Sequence, residues 1–227
     1  MPSRGTNVLR LVAFDMDGTL ACDDRIESSW AVIHEHYGLS NARALAQFNR
    51  GEIDDVEFIR SDVALWKSRH PTISVDDLER ILAGVALMPG AEELVHGLKA
   101  HGVRTAIISG GIDLLAHRIG RELGIDYVLA NGIRSSPDGL LTDEGIIRVP
   151  IKQKDRVLAG IQRDLGVGVA ETAAIGNSEI DIGMFRQSRI GIAFHPEDDA
   201  TRAAATHVID GPSLAPALEW LLGDTVR

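Results

Sequence analysis

The sequence of 227 residues is poor in cysteine, in aromatic residues and in basic charge. Its single cysteine, Cys22, excludes an intramolecular disulfide and is typical of a reducing compartment. Because only 4% of the residues are aromatic, the core must consist largely of Leu, Ile, Val and Ala. The chain has 23 basic against 33 acidic residues, a formal charge of −10. This excess of acidic over basic residues argues against nonspecific nucleic-acid binding, which depends on Lys and Arg contacts to phosphate.

Long apolar runs are also missing. No run of about twenty apolar residues and no signal-peptide core is present, so we expect no membrane span and a cytoplasmic location. A chain of this length that is 44% hydrophobic is sufficient for one large domain, or for a domain with an insertion. The acidic balance leaves a small anionic substrate possible, since a local site can be positive inside an acidic protein. Nothing in the sequence indicates an oligomeric state.

The most informative stretch of the chain is Leu11 to Leu20. Its first four residues are apolar and predict the end of a buried strand, and Asp15 and Asp17 follow. Two unpaired acids at a strand centre would each cost several kcal/mol, so they indicate a strand end beside positive charge. Their spacing points both carboxylates to one side, where they could share a divalent cation, and Gly18 lets the chain turn away. The acid pair alone is equally typical of a surface turn, whereas the whole string favours a site.

Strands and helices alternate from Pro89 to the end of the chain. This alternation predicts an α/β fold, a Rossmann-like parallel sheet between layers of helices, in which ligands bind at the carboxyl ends of the strands. A Pro-Asp-Gly turn at Pro137 to Gly139 predicts a hairpin excursion. The predicted strands after the first are Val103–Ile108, Ile125–Ala130, Thr172–Ile175, Ile190–Phe194 and His207–Ile209.

The segment between the first strand and Pro89 has helical spacing throughout. We therefore predict an inserted helical cap domain at residues 23–87, and a catalytic core made of residues 1–22 and 88–227. Ser74 and the acids after it predict a capped helix start inside this insert. Trp30 and Trp66 are expected in the core of the helical bundle rather than in contact with a ligand.

Three further groups of polar residues follow predicted strands or open predicted helices. Ser109 with Gly110 and Gly111 is typical of an anion site at a helix N-terminus, although such a sequence is also an ordinary turn. Lys152 or Lys154, at the next helix start, would supply the positive charge that a phosphate requires. Asn177 and Asp181 offer oxygen ligands of the kind that Mg²⁺ prefers. Together with the first acid pair, the four pieces predict one phosphate-handling site.

At these four places the sequence resembles the haloacid dehalogenase superfamily, and within it the phosphoserine-phosphatase branch. The string Asp-Met-Asp-Gly-Thr-Leu at Asp15 is similar to the first motif, and Ser109 to Gly111 to the second. Lys154 fits the third motif better than Lys152 does, and Gly176 to Phe185 resembles the fourth.

The resemblance implies a Mg²⁺-dependent phosphomonoester hydrolase with a small phosphate ester as substrate. Asp15 would be the nucleophile that forms an aspartyl-phosphate, and Asp17 the general acid and base. The backbone carbonyl of Asp17 would bind the metal. Two lists complete the implied site: phosphoryl oxygens would be held by Ser109, Gly110 and Lys154, and the metal by Asp15, Asp17, Asn177 and Asp181.

The sequence departs from the family pattern in ways that bear on substrate and metal. Asn177 stands where the family has a metal-binding Asp, and an amide brings no charge. Ile180 replaces a polar residue, and Asp62 lies where the family's carboxylate-reading arginine belongs. The remaining candidates for substrate contacts are Arg60, Arg50, Asp24 and Glu27. Two alternatives therefore stay open: a phosphatase or phosphotransferase for another small metabolite, and a catalytically weak phosphate-binding or regulatory protein.

Overall fold

A computed structural model of the protein describes residues 8–22 and 28–223. Its main sheet has seven strands in the order β6-β5-β4-β1-β7-β8-β9, and every neighbouring pair is parallel except β5 with β6. A separate antiparallel ribbon pairs β2 with β3. The strands are β1 (Leu11–Phe14), β2 (Ala21–Cys22), β3 (Ala86–Leu87), β4 (Arg104–Ile112), β5 (Tyr127–Ser135), β6 (Leu141–Ile146), β7 (Thr172–Gly176), β8 (Ile190–Phe194) and β9 (His207–Ile209).

Helices cover both faces of the sheet. The central strand β1 shows why: Val12 and Phe14 are buried in one apolar cluster, and Leu11 and Ala13 in another. A strand that is apolar on both sides requires such a double cover. Within the described residues the helices are α1 (Ser29–His36), α2 (Ala42–Asn49), α3 (Asp55–Arg69), α4 (Val75–Leu82), α5 (Ala91–Ala100), α6 (Asp113–Leu123), α7 (Lys154–Leu165), α8 (Ile182–Arg186), α9 (Asp199–Ala204) and α10 (Ala217–Gly223).

The predicted α/β fold is confirmed, and the hairpin after β5 is present with its turn at Pro137 to Gly139. Two strands extend well beyond their predicted ends. The strand expected to stop at Ala130 is β5, which continues to Ser135 as the first arm of the hairpin. We expected a strand that stops at Ile108, but β4 continues to Ile112. The pairing with β5 jumps from Ser109 to Ile112, so Gly110 and Gly111 form a bulge inside the strand. Bulges redirect a strand without ending it, and the glycines that signal one also signal a turn.

Helices α1 to α4 occupy the insert between β2 and β3. Capping explains where two of them start: Asp54 accepts a hydrogen bond from Glu57 N at the start of α3, and Ser74 and Asp77 form a reciprocal capping box at α4. The chain passes into and out of the insert side by side, because Ala21 pairs with Leu87 in the ribbon.

The insert also contacts the core away from this ribbon. Helix α3 packs on β6, where Lys67 Nζ donates to Asp143 Oδ1 at 2.8 Å. On another side Ile151 N donates to Asp55 Oδ1 at 2.8 Å. The division into core and cap at residues 22/23 and 87/88 stays a prediction. No helix in the described part of the chain is long and apolar enough to cross a membrane.

Candidate active site

The two aspartates of the first motif lie at the carboxyl end of β1, in the middle of the sheet. Asp15 N donates to Ile175 O of the neighbouring strand at 2.9 Å. The next residues form a tight turn, in which Met16 O accepts hydrogen bonds from the backbone N–H groups of Thr19, Leu20 and Ala21. This turn requires a positive φ of 74° at Gly18, which glycine adopts without strain.

Lys154 links this motif to the fourth one. Its side chain is fully buried, and its Nζ donates to Asp15 Oδ1 and to Asp181 Oδ1, each at 2.7 Å. Burial lowers the pKa of Lys154, but Asp15 and Asp181 raise it by more, so the net shift is upward and the ammonium stays charged. Lys152, the alternative, lies elsewhere and donates to Phe48 O at 3.2 Å. The structure thus brings Lys154 to the site, as the family resemblance implies.

Asp15 combines burial with charged neighbours. Burial raises the pKa of its carboxyl to about 7, Lys154 opposes this shift, and Asp181 and Asp17 add to it. The remaining oxygen, Oδ2, is not the one that binds Lys154. A cation that approaches this oxygen would favour the ionised form of the carboxyl group.

Asp181 is held from both sides by protein donors. While Oδ1 accepts from Lys154, Oδ2 accepts from Asn177 N at 3.0 Å and from Ser178 N at 3.1 Å. Its side chain is fully buried. In this arrangement Asp181 balances the lysine charge and shapes the loop after β7.

Asn177 follows β7 and lies against the turn of the first motif. Its Nδ2 donates to Glu197 Oε1 at 2.7 Å, and its Oδ1 accepts from Thr19 Oγ1 at 3.3 Å. Because a carboxylate only accepts hydrogen bonds, Glu197 fixes the orientation of the amide, with its nitrogen on Glu197 and its oxygen on Thr19. A Cβ at position 18 would collide with the Asn177 side chain. Because glycine has no Cβ, the loop after β7 can approach the turn of the first motif.

Glu197 was missed by the sequence analysis. It follows β8 after His195 and Pro196, and its backbone N–H also donates to Asn177 O at 2.8 Å. An acid just beyond the carboxyl end of a parallel strand was the available signal.

The second motif lies beside the aspartates. Ser109 is buried, and its Oγ accepts from Gly111 N at 3.0 Å inside the bulge of β4. A Cβ at Gly111 would lie 2.5 Å from Asp17 Oδ2, so only glycine permits this approach. Because β4 flanks β1, Ser109 and Gly110 lie beside the strand that leads to Asp15, and Lys154 reaches Asp15 from the start of α7.

Asp17 is hydrogen-bonded to the first helix of the insert. Ser29 Oγ donates to Asp17 Oδ2 at 2.9 Å. Burial raises the pKa of Asp17, while hydrogen bonds from Ser29 lower it, and the net shift is upward. Ser29 is a second residue that the sequence analysis missed, because a serine at a helix start is ordinarily a cap.

Of the four predicted substrate residues, the structure describes the two arginines, and both form ion pairs within the insert. Arg60 is half-exposed and pairs with Glu57 at 2.8 Å, and Arg50 is exposed and pairs with Glu52 at 2.6 Å. Asp24 and Glu27 lie outside the described residues. These contacts place both arginines in local ion pairs of the insert.

Asp62, at the position of the family's arginine, is 1% exposed and lies inside the insert. Asn41 Nδ2 donates to its Oδ1 at 3.1 Å, and His34 Nε2 lies 3.2 Å from the same oxygen. Trp66 Nε1 donates to His34 Nδ1 at 3.0 Å, and Trp66 is fully buried, as predicted for the bundle core. Trp30 stacks on Trp66 with 5.7 Å between ring centroids, and is packed against the same apolar cluster.

The donor set near Asp15 suits a hard divalent cation. Within residues 8–22 and 28–223 there is no group of three His, Cys, Asp or Glu that could hold a metal ion. The candidates are instead mixed oxygen donors: the Asp15 carboxylate, the Asn177 amide and the main-chain carbonyl of Asp17. Such a set matches a small cation that keeps several of its waters.

Comparisons with known proteins identify the family of the chain. The sequence model of the haloacid dehalogenase-like hydrolase family matches residues 12–186, more than half of the chain. The chain therefore belongs to the haloacid dehalogenase-like hydrolases, and the predicted family is confirmed.

Named relatives point to one branch of that family. A probable phosphoserine phosphatase from Schizosaccharomyces pombe is 34% identical over 217 residues, which cover 94% of this chain and 70% of the relative. A phosphoserine phosphatase from Archaeoglobus fulgidus is 33% identical over 83% of this chain, but this match spans only 53% of the relative. A solved structure described as a phospho-aspartyl intermediate analogue of phosphoserine phosphatase superposes with a TM-score of 0.78 at 25% identity, over 94% of this chain and 99% of that one.

Proposed function

We propose that this protein is a Mg²⁺-dependent phosphomonoester hydrolase that acts on a small phosphate ester through an aspartyl-phosphate at Asp15. The observation that carries the proposal is the buried ammonium of Lys154, 2.7 Å from Asp15 and 2.7 Å from Asp181. A charge buried this deeply costs several kcal/mol unless it is paired, and here it lies where an incoming phosphate would need it. The family membership and the similarity to phosphoserine phosphatases support the same chemistry.

The reaction takes two steps. In the first, Asp15 Oδ2 attacks phosphorus, the bond to the ester oxygen breaks, and Asp17 gives its proton to the departing alcohol. In the second, Asp17 takes a proton from water, the water oxygen attacks phosphorus, and phosphate leaves as the Asp15 carboxylate is restored. Ser109, the backbone of Gly110 and Lys154 hold the phosphoryl oxygens in both steps. The raised pKa of Asp17 fits a group that starts as an acid.

Mg²⁺ would be held by the Asp15 carboxylate, the Asp17 carbonyl and the Asn177 amide, with waters completing its shell. When bound, it would neutralise part of the charge that a phosphate dianion brings beside a carboxylate. We assign Asp181 to Lys154 and to the loop after β7, because its oxygens already accept from protein donors.

The helical insert, residues 23–87, serves as the cap over this site. Its contacts to the core through Ser29 and Asp55 flank the place where substrate would bind. Phosphoserine is the first substrate to test, given the relatives. Since Arg60 and Arg50 pair with acids of the insert, we expect no strong preference for an α-carboxylate from these residues. The acidic charge and the single cysteine favour a cytoplasmic enzyme without a nucleic-acid partner.

The test is a metal-dependent turnover assay combined with capture of the intermediate. The enzyme is mixed with a ³²P-labelled aryl phosphate with and without Mg²⁺, quenched in acid, and the label on protein is counted. We expect Mg²⁺-dependent release of phosphate and label at Asp15, with none in Asp15→Asn. Binding of phosphate without turnover or label in any metal would instead support the phosphate-binding alternative. A panel that includes phosphoserine and other small metabolite phosphates then identifies the substrate.

A further inference from the structure

Helix α1 of the insert begins directly at the carboxyl group of Asp17. Its first residue, Ser29, is only 1% exposed although it is polar. Ser29 Oγ accepts a hydrogen bond from Ile112 N at 3.0 Å and donates one to Asp17 Oδ2 at 2.9 Å. Because the serine oxygen accepts from the Ile112 amide, its own hydrogen is directed to the carboxylate. The hydroxyl therefore bridges the end of β4 and the aspartate.

The neighbouring residue fixes α1 in this place. Trp30 Nε1 donates to Gly110 O at 3.0 Å, and its ring stacks on the fully buried Trp66. Two consecutive residues of the insert thus bind two loops of the core, the first motif and the bulge of β4. An indole ring that packs on a neighbour and donates its N–H to a carbonyl gives both apolar contact area and a defined direction.

Gly111 in the bulge of β4 leaves room for the contact between Ser29 and Asp17. A Cβ at Gly111 would lie 2.5 Å from Asp17 Oδ2 and 2.7 Å from Ser29 Oγ. Any side chain at this position would separate the serine from the aspartate. The close approach of Ser29 to Asp17 therefore depends on the core as well as on the insert.

We propose that Ser29 is a positioning residue that holds the carboxyl group of Asp17 for proton transfer, so that docking of α1 completes the active site. This inference rests on the proposed function, because it takes Asp17 as the acid and base. With Oδ2 bound by the serine, Oδ1 is the oxygen left to face the ester oxygen and, later, the attacking water. Fixed orientation of such a group is a large part of its catalytic effect.

The two chemical steps depend on Asp17 differently when the leaving group is good. An aryl alcohol departs without a proton, so phosphorylation of Asp15 proceeds even when Asp17 is misaligned. Attack by water still requires the base. Loss of the Ser29 hydroxyl should therefore slow breakdown of the phosphoenzyme by roughly ten- to a hundredfold, and the phosphoenzyme should accumulate.

The experiment measures the fraction of enzyme labelled at steady state with a ³²P-labelled aryl phosphate, together with the rate at which the label is lost in a chase. Ser29→Ala removes the donor, and Ser29→Cys keeps nearly the same volume with a weak donor, which guards against a variant that fails to fold. Ser28→Ala is the matched control, because Ser28 Oγ accepts from Ala31 N at 3.2 Å as the cap of the same helix. Folding of each variant is checked by near-UV circular dichroism.

We expect the labelled fraction to rise and the chase to slow most in Ser29→Ala, less in Ser29→Cys, and not in Ser28→Ala. A role in stability alone would reduce the amount of active enzyme without changing the chase rate, and this result would overturn the inference. So would equal chase rates in Ser28→Ala and Ser29→Ala. Failure of the proposed function is distinguishable, because then no variant, nor the parent, carries label at Asp15.

Discussion

Two clusters of polar side chains surround buried acids in this molecule, one at the strand ends of the core with Asp15 and Asp181 and one inside the insert with Asp62 alone. In the core, Asp15 and Asp181 share the ammonium of Lys154. In the insert, Asn41 donates a hydrogen bond to Asp62, and His34 Nε2 lies 3.2 Å from the same carboxylate. The other ring nitrogen of His34 accepts from Trp66 Nε1. Both clusters are almost inaccessible to water, so burial by itself does not identify a reactive site.

The difference lies in charge and in surroundings. The core cluster has a lysine cation between its acids, and it lies where β1, β4 and β7 end together. The insert cluster lies among helices beside the Trp66 ring, where Asn41 Nδ2 donates to one carboxylate oxygen of Asp62 and His34 Nε2 lies 3.2 Å from the same oxygen. Acids that gather at parallel strand ends indicate chemistry, and acids packed inside a helical bundle indicate structure. Four predictions test this distinction.

The largest effect is expected from Asp15→Asn. The change keeps an oxygen for Lys154 but removes the nucleophile, so turnover should fall by roughly 10³-fold or more while the fold persists. Steady-state kinetics with an aryl phosphate measure the loss, and mass spectrometry excludes deamidation back to Asp. Turnover within about tenfold of the parent would mean that Asp15 is not the nucleophile.

Lys154→Met should damage both stability and activity. It leaves Asp15 and Asp181 buried without their cation, which costs roughly 3–5 kcal/mol. Urea unfolding measures the free-energy change, and Asp15→Asn serves as a comparison that retains the lysine. A stability loss below about 1 kcal/mol would show that the core acids do not need the buried cation.

Asp62→Asn should separate the two clusters. The amide keeps the shape but replaces an acceptor by a donor toward Asn41 or His34, so we expect a loss of roughly 1–3 kcal/mol in unfolding free energy. The specificity constant should stay within a few-fold of the parent, measured well below the melting temperature. A drop of more than about tenfold in a folded variant would show that the insert cluster also supports substrate binding.

The smallest effect is expected at Asn177, because Glu197 already lies 2.7 Å from its amide nitrogen. Asn177→Asp alone would bring two carboxylates together, and the repulsion offsets the gain in attraction for Mg²⁺. In the double variant Asn177→Asp with Glu197→Gln, the carboxylate is at position 177 and the amide at position 197. Mg²⁺ should then bind roughly tenfold more tightly than in the parent.

Calorimetric Mg²⁺ titration without substrate distinguishes these cases, and Glu197→Gln alone is the control. Equal Mg²⁺ affinity in the parent, both single variants and the double variant would show that Asn177 is not a metal ligand. A gain in Asn177→Asp alone that equals the gain in the double variant would show that Glu197 has no influence on it.

The sequence by itself determined the α/β architecture, the family and the first motif. Alternating apolar runs and helical spacing are local properties, so they predict a parallel sheet without knowledge of contacts. Asp15 and Asp17 were recognisable because two acids after an apolar strand are costly anywhere except at a strand end. The choice of Lys154 over Lys152 followed from family spacing, and the structure agrees with it.

Only the tertiary structure decided which side chains meet. Ser29 and Asp17 are close enough in sequence, but their contact depends on a glycine bulge in β4, more than eighty residues after Ser29. The engagement of Asp181 by Lys154, the pairing of Asn177 with Glu197 and the burial of Asp62 arise in the same way. Each depends on how separate elements pack and on which donors remain for a buried acceptor, and no local sequence pattern records these facts.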